Sequence, residues 1–489
     1  MSKYSKSNFL LLLFFFVYVS ILQIIVSPSS FLYALYNQVD IDEFFLEGRA
    51  WMDGSIPYVD FSDSKGPLLF LFYGVCSLIS RYDFLGVYLL SCFWFTASLF
   101  LTYKIISLFS DNKRISLLAT IVMSMVYFCP LWLYEFKSES MCLPFFLTSS
   151  YYYCKSVFAD YQYADRERTL LRCAFFGGIS VMCAFLIKFS IAAIVVLPIM
   201  AVCFIEIRSW KLFFRYAIAM LSGMTVIMLP FFIYFVCNCA LAVAFDEYIV
   251  KTLETVSRTQ GDLSYFQKML HNIMAPSSFV LLVLGTISTI AFGIKGKQYG
   301  LSVFFIFAIS YFITLQNGTF PYYYTILSPF VIFGIIAFVE YYRHLVSLTK
   351  LCFAIVVIFC SICLFNISRY FLFNSSVNNF LHAETQMNEG FKDIKEILTS
   401  LERRDVIFTE GVYEKSMLVS VDVRLAARYW FIQTGATQDM FEDQYDAIRS
   451  HKCNVCFVEK SNQKVVNFLK SNGFYETYTL NNYFMYVYK

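Results

Sequence analysis

Residues 40 to 67 read DIDEFFLEGRAWMDGSIPYVDFSDSKGP, with acids at Asp40, Asp42, Glu43, Glu47, Asp53, Asp60 and Asp63, followed by Lys65. Groups of these types can carry out transfer chemistry on a phosphate-bearing substrate. A carboxylate takes the proton of an acceptor hydroxyl. A lysine holds a departing phosphate as a point charge. The aromatic residues interleaved with them, Phe44, Phe45 and Trp51, suit a lipid tail at a membrane surface. Charges beside a membrane are ordinarily only solvated. Here the density of acids, the turn residues and the lysine ahead of an apolar segment favour a site.

The rest of the chain must position this stretch, and its composition says how. The 489 residues are 58% hydrophobic, 20% aromatic and only 15% charged, and the mean hydropathy is +0.60. These values exclude an ordinary soluble domain and indicate a polytopic membrane protein. A formal net charge of +3 and the lack of a basic tail argue against nucleic acid as a partner. Cysteines such as Cys92, Cys142, Cys173 and Cys183 lie within apolar runs, where they act as small hydrophobes and not as a disulfide framework. Lys3 and Lys6 precede an apolar run from Phe9 to Val26. The run is long for a signal peptide and lacks a small-residue cleavage site, so a retained first helix is expected.

A spanning helix needs about 20 apolar residues, and about eleven candidates meet that length. They fall near 8–27, 85–109, 115–134, 140–158, 172–187, 190–207, 213–237, 273–293, 300–316, 322–341 and 351–373. Basic residues in short loops mark the cytoplasmic side. Lys113 and Arg114, Arg166 with Arg168 and Arg172, Arg208 with Lys211 and Arg215, Lys295 with Lys297, and Arg343 with Lys350 alternate consistently. The N-terminus is then inside and the C-terminus outside. PLLFLFYGVCSLIS (67–80) has only 14 residues, which suits an interfacial or re-entrant helix. The outer side therefore receives residues 28–84, the loop 134–140, the loop 238–272, the tip 316–324 and everything after 373.

Residues 40–52 form a ragged amphipathic helix of the kind that lies in the interface plane, ended by Gly54. The chain thus divides into a membrane region, 1–373, and an outer segment, 374–489. In that segment GFKDIKEILTSLE, QYDAIRSHK and VVNFLKSNG read as helices, the last closed by Gly473. DVIFTE and NVCFVEK read as strands, and FYETYTLNNYFMYVYK as a hairpin. Alternating strands and helices predict a small C-terminal α/β domain.

The first outer loop carries a resemblance. Asp40, Phe44, Gly48, Gly54, Pro57-Tyr58, Asp60, Asp63 and Lys65-Gly66-Pro67 form the pattern D-x3-F-x3-G-x5-G-x2-PY-x-D-x2-D-x-KGP. It resembles bacterial GT-C glycosyltransferases of the family 39 type, which are similar to protein O-mannosyltransferases and to the lipid A aminoarabinose transferase. KSESMCLPFFL, with Glu139 ahead of Pro144, is similar to the second outer loop of that family, and FPYYYTILSP to its aromatic tip. The layout covers the whole membrane region, and the first loop is its specific part. Gly66 stands where the family often has a second proline.

The resemblance implies a membrane glycosyltransferase that moves a sugar from a polyprenyl-phosphate donor to a glycolipid, glycan or protein acceptor on the outer face, with inversion. It implies Asp40 as base, with Asp42 as the alternative two residues away, and Glu139 as a second acid that orients acceptor or base. Lys65 would contact the lipid phosphate, and Tyr58, Asp60, Asp63, Tyr322 and Tyr323 would line the substrate. It also implies a multi-pass plasma-membrane location. No cofactor is assigned by the residues; a divalent metal stays open because some GT-C relatives use one.

Other residues point to plainer roles. His271, His344, His382 and His451 are scattered, which leaves no zinc site. Cys453 and Cys456, on one strand, are expected to be a buried structural pair. Lys188 is expected to snorkel from an outer turn, Lys137 to be an interfacial charge, and Lys251 and Arg258 to lie on a solvated loop helix. A transporter of lipid-linked sugars would instead line the middle of its helices with polar residues. A membrane polysaccharide polymerase or ligase would leave the D-x3-F-x3-G…KGP element unexplained.

Overall fold

The computed structural model describes residues 3–27, 29–30, 39–128, 136–158, 163–254, 265–295, 299–316, 320–342, 390–412, 415–432, 437–480 and 483–488. Eleven helices open the chain: α1 Lys3–Val26, α2 Val39–Met52, α3 Pro67–Ile79, α4 Leu85–Ile106, α5 Lys113–Tyr127, α6 Ser138–Phe158, α7 Tyr163–Ile187, α8 Phe189–Val195, α9 Leu197–Glu206, α10 Trp210–Cys237 and α11 Leu241–Phe245. A π-helical turn, Asp246–Lys251, follows. Helices Tyr265–Met274, Pro276–Lys295 and Gly300–Gln316, a 3₁₀ helix Pro321–Phe330 and a helix Val331–Tyr342 complete the described membrane region.

Each span expected up to residue 341 overlaps a helix, although residues 129–134 of the span 115–134 lie outside the described residues. The expected span 351–373 lies outside the described residues. Among the described residues, six helical stretches are long and apolar enough to cross a membrane. α10 exposes Phe214, Ile218, Leu221, Leu229 and Ile233, a surface suited to lipid and not to water. α3 is 13 residues long, as its short apolar run predicts. The chain is a polytopic α-helical membrane protein with a small C-terminal sheet.

The chain forms two compact units. The first comprises residues 1–27, 89–230 and 263–373. The second comprises residues 28–88, 231–262 and 374–489, so the first outer loop shares a unit with the C-terminal residues.

In the second unit, five strands lie in the order β2-β1-β3-β5-β4. They are β1 Asp405–Phe408, β2 Arg424–Leu425, β3 Val455–Glu459, β4 Tyr475–Leu480 and β5 Tyr483–Val487. β1 pairs in parallel with β2 and β3, while β5 pairs antiparallel with β3 and β4. The helices predicted beside them occur at 390–400, Gln438–Arg449 and Gln463–Ser471. Gly473 closes the last one at φ +81°, a left-handed conformation that favours glycine. Ile407, Cys456, Val458, Val465, Leu469 and Tyr486 fill the core between sheet and helices. Cys453 and Cys456 are both fully buried free thiols, but only Cys456 lies on β3; Cys453 precedes the strand.

α2 and α3 pack closely, and Gly48 is the reason they can. A Cβ on Gly48 would stand 2.4 Å from the Gly74 backbone nitrogen and 2.7 Å from the Phe70 carbonyl oxygen. Phe44 meets Tyr73 on α3, with ring centroids 5.6 Å apart. The motif glycine is thus a contact between backbones. Gly48→Ala is expected to cost about 1–3 kcal/mol through overpacking. It should lower the thermal aggregation midpoint of the purified protein, and an unchanged midpoint would contradict the backbone contact.

Candidate active site

α2 carries the acids in its first two turns. A helix advances about 100° per residue, which sets Asp40, Glu43, Phe44 and Glu47 along one stripe and Asp42 nearly opposite Asp40. Asp40 is half-buried. Asp42, Glu43 and Glu47 are buried, at 0%, 3% and 0% exposure.

The loop after α2 is folded tightly around its motif residues. Gly54 has φ +102° and Tyr58 has φ +67°. The Tyr58 amide donates to the Phe61 carbonyl at 2.6 Å, and its hydroxyl donates to the Lys65 carbonyl at 2.7 Å. Its ring is buried against Phe70, Phe235 and Tyr248. Tyr58 therefore fixes the backbone that carries Lys65. Asp60 is exposed and accepts from the Ile56 amide at 2.6 Å. Asp63 accepts from the Ser64 amide at 2.5 Å and from the Ser64 hydroxyl at 3.1 Å. The Lys65 ammonium lies 3.7 Å from Asp63 Oδ2 and 5.4 Å from the Phe44 ring centroid. The loop thus brings Lys65 onto the stripe that holds Asp40.

A buried charge cluster adjoins them. Carboxylate oxygens of Glu43, Glu47 and Asp63 all lie within 4.8 Å of one another. Lys415 Nζ pairs with Glu43 Oε2 at 2.8 Å, and the Trp430 indole donates to Glu47 Oε1 at 3.2 Å. Glu47 Oε2 is buried without a hydrogen-bond partner among the described residues. Asp63 Oδ2 is likewise buried without a hydrogen bond among the described residues, and three hard oxygen donors of which two are so left fit a divalent cation in kind. Bound protons offer the alternative balance. Burial pushes Glu43 up to about 7 against the pull of Lys415, with Asp63 adding to the rise and Lys65 opposing it. Burial, then Glu43 and Asp63, hold Glu47 well above the usual carboxylate range, while Trp430 and Lys415 pull back.

This predicts a pH dependence. Both groups bind protons more tightly folded than unfolded, so their contribution is fully present below the ordinary value of 4.5; that of Glu43 is lost as pH rises through about 7, and that of Glu47 is lost as pH rises above the usual carboxylate range. Metal-free protein should therefore unfold more readily at pH 8 than at pH 5. Glu47→Gln should flatten that slope in thermal scans. An equally steep slope in the variant would remove Glu47 from the account.

A second group of residues gathers in the first unit. Lys188 interrupts the helix between α7 and α8. Its ammonium pairs with Glu139 Oε1 at 2.5 Å and lies 4.2 Å from the centre of the Tyr323 ring. The Ser138 hydroxyl donates to Glu139 Oε2 at 2.8 Å, and Lys137 Nζ sits 4.1 Å from the centre of the Tyr322 ring. The expected Glu139, Tyr322 and Tyr323 are thus brought together. Lys188, expected to snorkel, and Lys137, expected to be a plain interfacial charge, belong with them. The available signal was a charge within an apolar run, which marks function by default.

Lys251 also departs from a solvated role. It binds Glu247 at 2.9 Å, the Tyr429 hydroxyl at 2.6 Å and Asp439 at 3.2 Å. Buried Glu247 also takes the Ser62 hydroxyl at 2.9 Å and Arg428 at 3.3 Å. This network ties the first loop to the C-terminal residues within the second unit. Arg258 lies outside the described residues. Lys415, Trp430 and Glu247 carry no sequence motif and were not foreseen.

No protein-family model matches the chain, and no curated protein matches it by sequence. Solved structures do match. The crystal structure of ArnT from Cupriavidus metallidurans bound to undecaprenyl phosphate superposes with a TM-score of 0.61 at 11% identity, covering 96% of this chain and 97% of that one. The apo state of the same protein gives 0.58 at 11% identity, covering 96% of each chain. ArnT is the lipid A aminoarabinose transferase, a GT-C glycosyltransferase, and this chain has its fold over nearly the full length of both.

Proposed function

We propose that the protein is a membrane glycosyltransferase that moves one sugar from a polyprenyl-phosphate carrier to an acceptor hydroxyl on the outer face. The observation that carries this reading is the fold shared with a protein whose structure holds undecaprenyl phosphate. The chemistry of the first loop agrees with it. Asp40 is the half-buried acid on the α2 stripe, and Lys65 lies over Phe44 on the same stripe.

In the proposed step, the Asp40 carboxylate takes the acceptor's hydroxyl proton. The acceptor oxygen bonds to the anomeric carbon as the bond from that carbon to the phosphate oxygen breaks. Attack from the opposite face inverts the centre, and the polyprenyl phosphate leaves with the bonding pair beside Lys65. The barrier falls through positioning and fixed charge. Asp42 is the alternative base. Glu139, held by Lys188 and Ser138, orients the acceptor, and Tyr322 and Tyr323 contact the substrate. A divalent cation held by Glu43, Glu47 and Asp63 would supply positive charge next to this helix. The N-terminus is cytoplasmic in this reading, and the C-terminal sheet faces the outer compartment.

The test is release of free undecaprenyl phosphate when purified protein meets a panel of undecaprenyl-phosphate sugars and a membrane extract. Release from at least one donor is expected. No release from any donor, together with movement of intact lipid across vesicles, would replace the enzyme with a transporter.

A further inference from the structure

Residues 415 to 430 hold α2 at three consecutive points. Lys415 reaches Glu43 and Trp430 reaches Glu47. The carbonyls of Leu418, Val419 and Val421 receive the Arg49 guanidinium at 3.1, 2.9 and 2.9 Å. Lys415 is fully buried, and its ammonium lies 3.1 Å from the Phe431 ring centroid and 5.7 Å from that of Trp430. Such a pair is a weak source of stability, because desolvating both charges offsets their attraction. A buried polar contact can instead select one register among several. α2 needs such a device. Acids and aromatics are mixed around its circumference, and all its residues from 41 to 50 are buried, so hydrophobic burial alone sets no single rotation; the Gly48 contact seats one face on α3, and the polar contacts hold the face that bears Glu43 and Glu47.

We propose that Lys415 is a positioning residue for transfer: its ion pair with Glu43 fixes the rotation of α2 and so aims Asp40, three residues earlier on the same stripe. The proposal rests on the transferase reading above for the role of Asp40. It gives the C-terminal α/β layer a function in catalysis without requiring it to touch the substrate. A misplacement of about 1 Å lowers turnover by about 100-fold while ground-state binding survives.

The test uses the full-length protein in nanodiscs as wild type, Lys415→Met, Lys415→Arg and the double variant Glu43→Gln/Lys415→Met. Two quantities are read: the kcat and KM of undecaprenyl phosphate release with the active donor of the panel, and amide hydrogen exchange across residues 39–52. Lys415→Met is expected to lower kcat by about 100-fold with little change in KM, and to speed exchange in α2 while β1 and β3 keep their protection. Lys415→Arg should restore much of both. The double variant removes both partners of the pair together, so it should fold even where Lys415→Met does not, and it should still show the low kcat. Wild-type kcat and wild-type α2 exchange in the double variant would overturn the proposal. A wild-type protein silent with every donor would overturn the transferase reading instead, and α2 exchange alone would then decide whether Lys415 fixes that helix.

Discussion

Asp40→Asn is expected to lower release of undecaprenyl phosphate by about 10²–10⁴-fold, the usual contribution of a positioned general base. The amide keeps the shape of the side chain and its place in the first turn of α2, so folding should survive. It cannot accept the acceptor's proton. KM for the donor should change little, because the carboxylate acts on the acceptor hydroxyl and not on the lipid phosphate. Asp42→Asn is expected to retain most activity. Asp42 is 0% exposed, and helical geometry turns it about 200° from Asp40, off the stripe that meets Lys65. Activity lost only in Asp42→Asn would move the base by two residues and keep the reaction. Activity retained in both would remove α2 from the chemistry.

Arg49→Met is expected to destabilise the second unit by about 3–5 kcal/mol. The guanidinium is 1% exposed and donates to four backbone carbonyls: those of Leu418, Val419 and Val421, and that of Arg81 at 3.2 Å. Methionine fills part of the volume and satisfies none of them. Lysine has one ammonium on a flexible stem and cannot match the planar fork, so Arg49→Lys should recover only part of the loss. Limited proteolysis reads the effect, since cleavage within residues 415–432 tracks local opening. A proteolysis rate equal to wild type would show that these carbonyls find other partners. Neighbouring Arg81 pairs with Asp53 at 2.8 Å and Asp422 at 2.6 Å, yet all three side chains are substantially exposed. Their loss should matter far less.

Much of this was legible in the residues because the responsible physics is local. Long apolar runs needed no partner to be read as helices, and the alternation in FYETYTLNNYFMYVYK reports a hairpin whatever it packs against. The motif glycine at 48 was visible, although its purpose, the approach of the Gly74 backbone, was not. The short β2 strand at Arg424–Leu425 escaped notice because two residues carry no periodicity. Lys188 was misread because a charge in an apolar run reveals nothing of its partner, and Glu139 lies 49 residues away.

By itself the sequence determined a polytopic membrane protein, a short helix after the first span, a carboxylate-rich loop ending in Lys-Gly-Pro and a C-terminal α/β segment. Composition and short periodicities suffice for each. Only the tertiary structure decided which charges meet. Lys415 and Glu43 are 372 residues apart in the chain, and no local pattern records such a pairing. A buried charge is tolerated only where its partner arrives from elsewhere in the fold. That is why the environment of α2, unlike its existence, could not be read from residues 40 to 67.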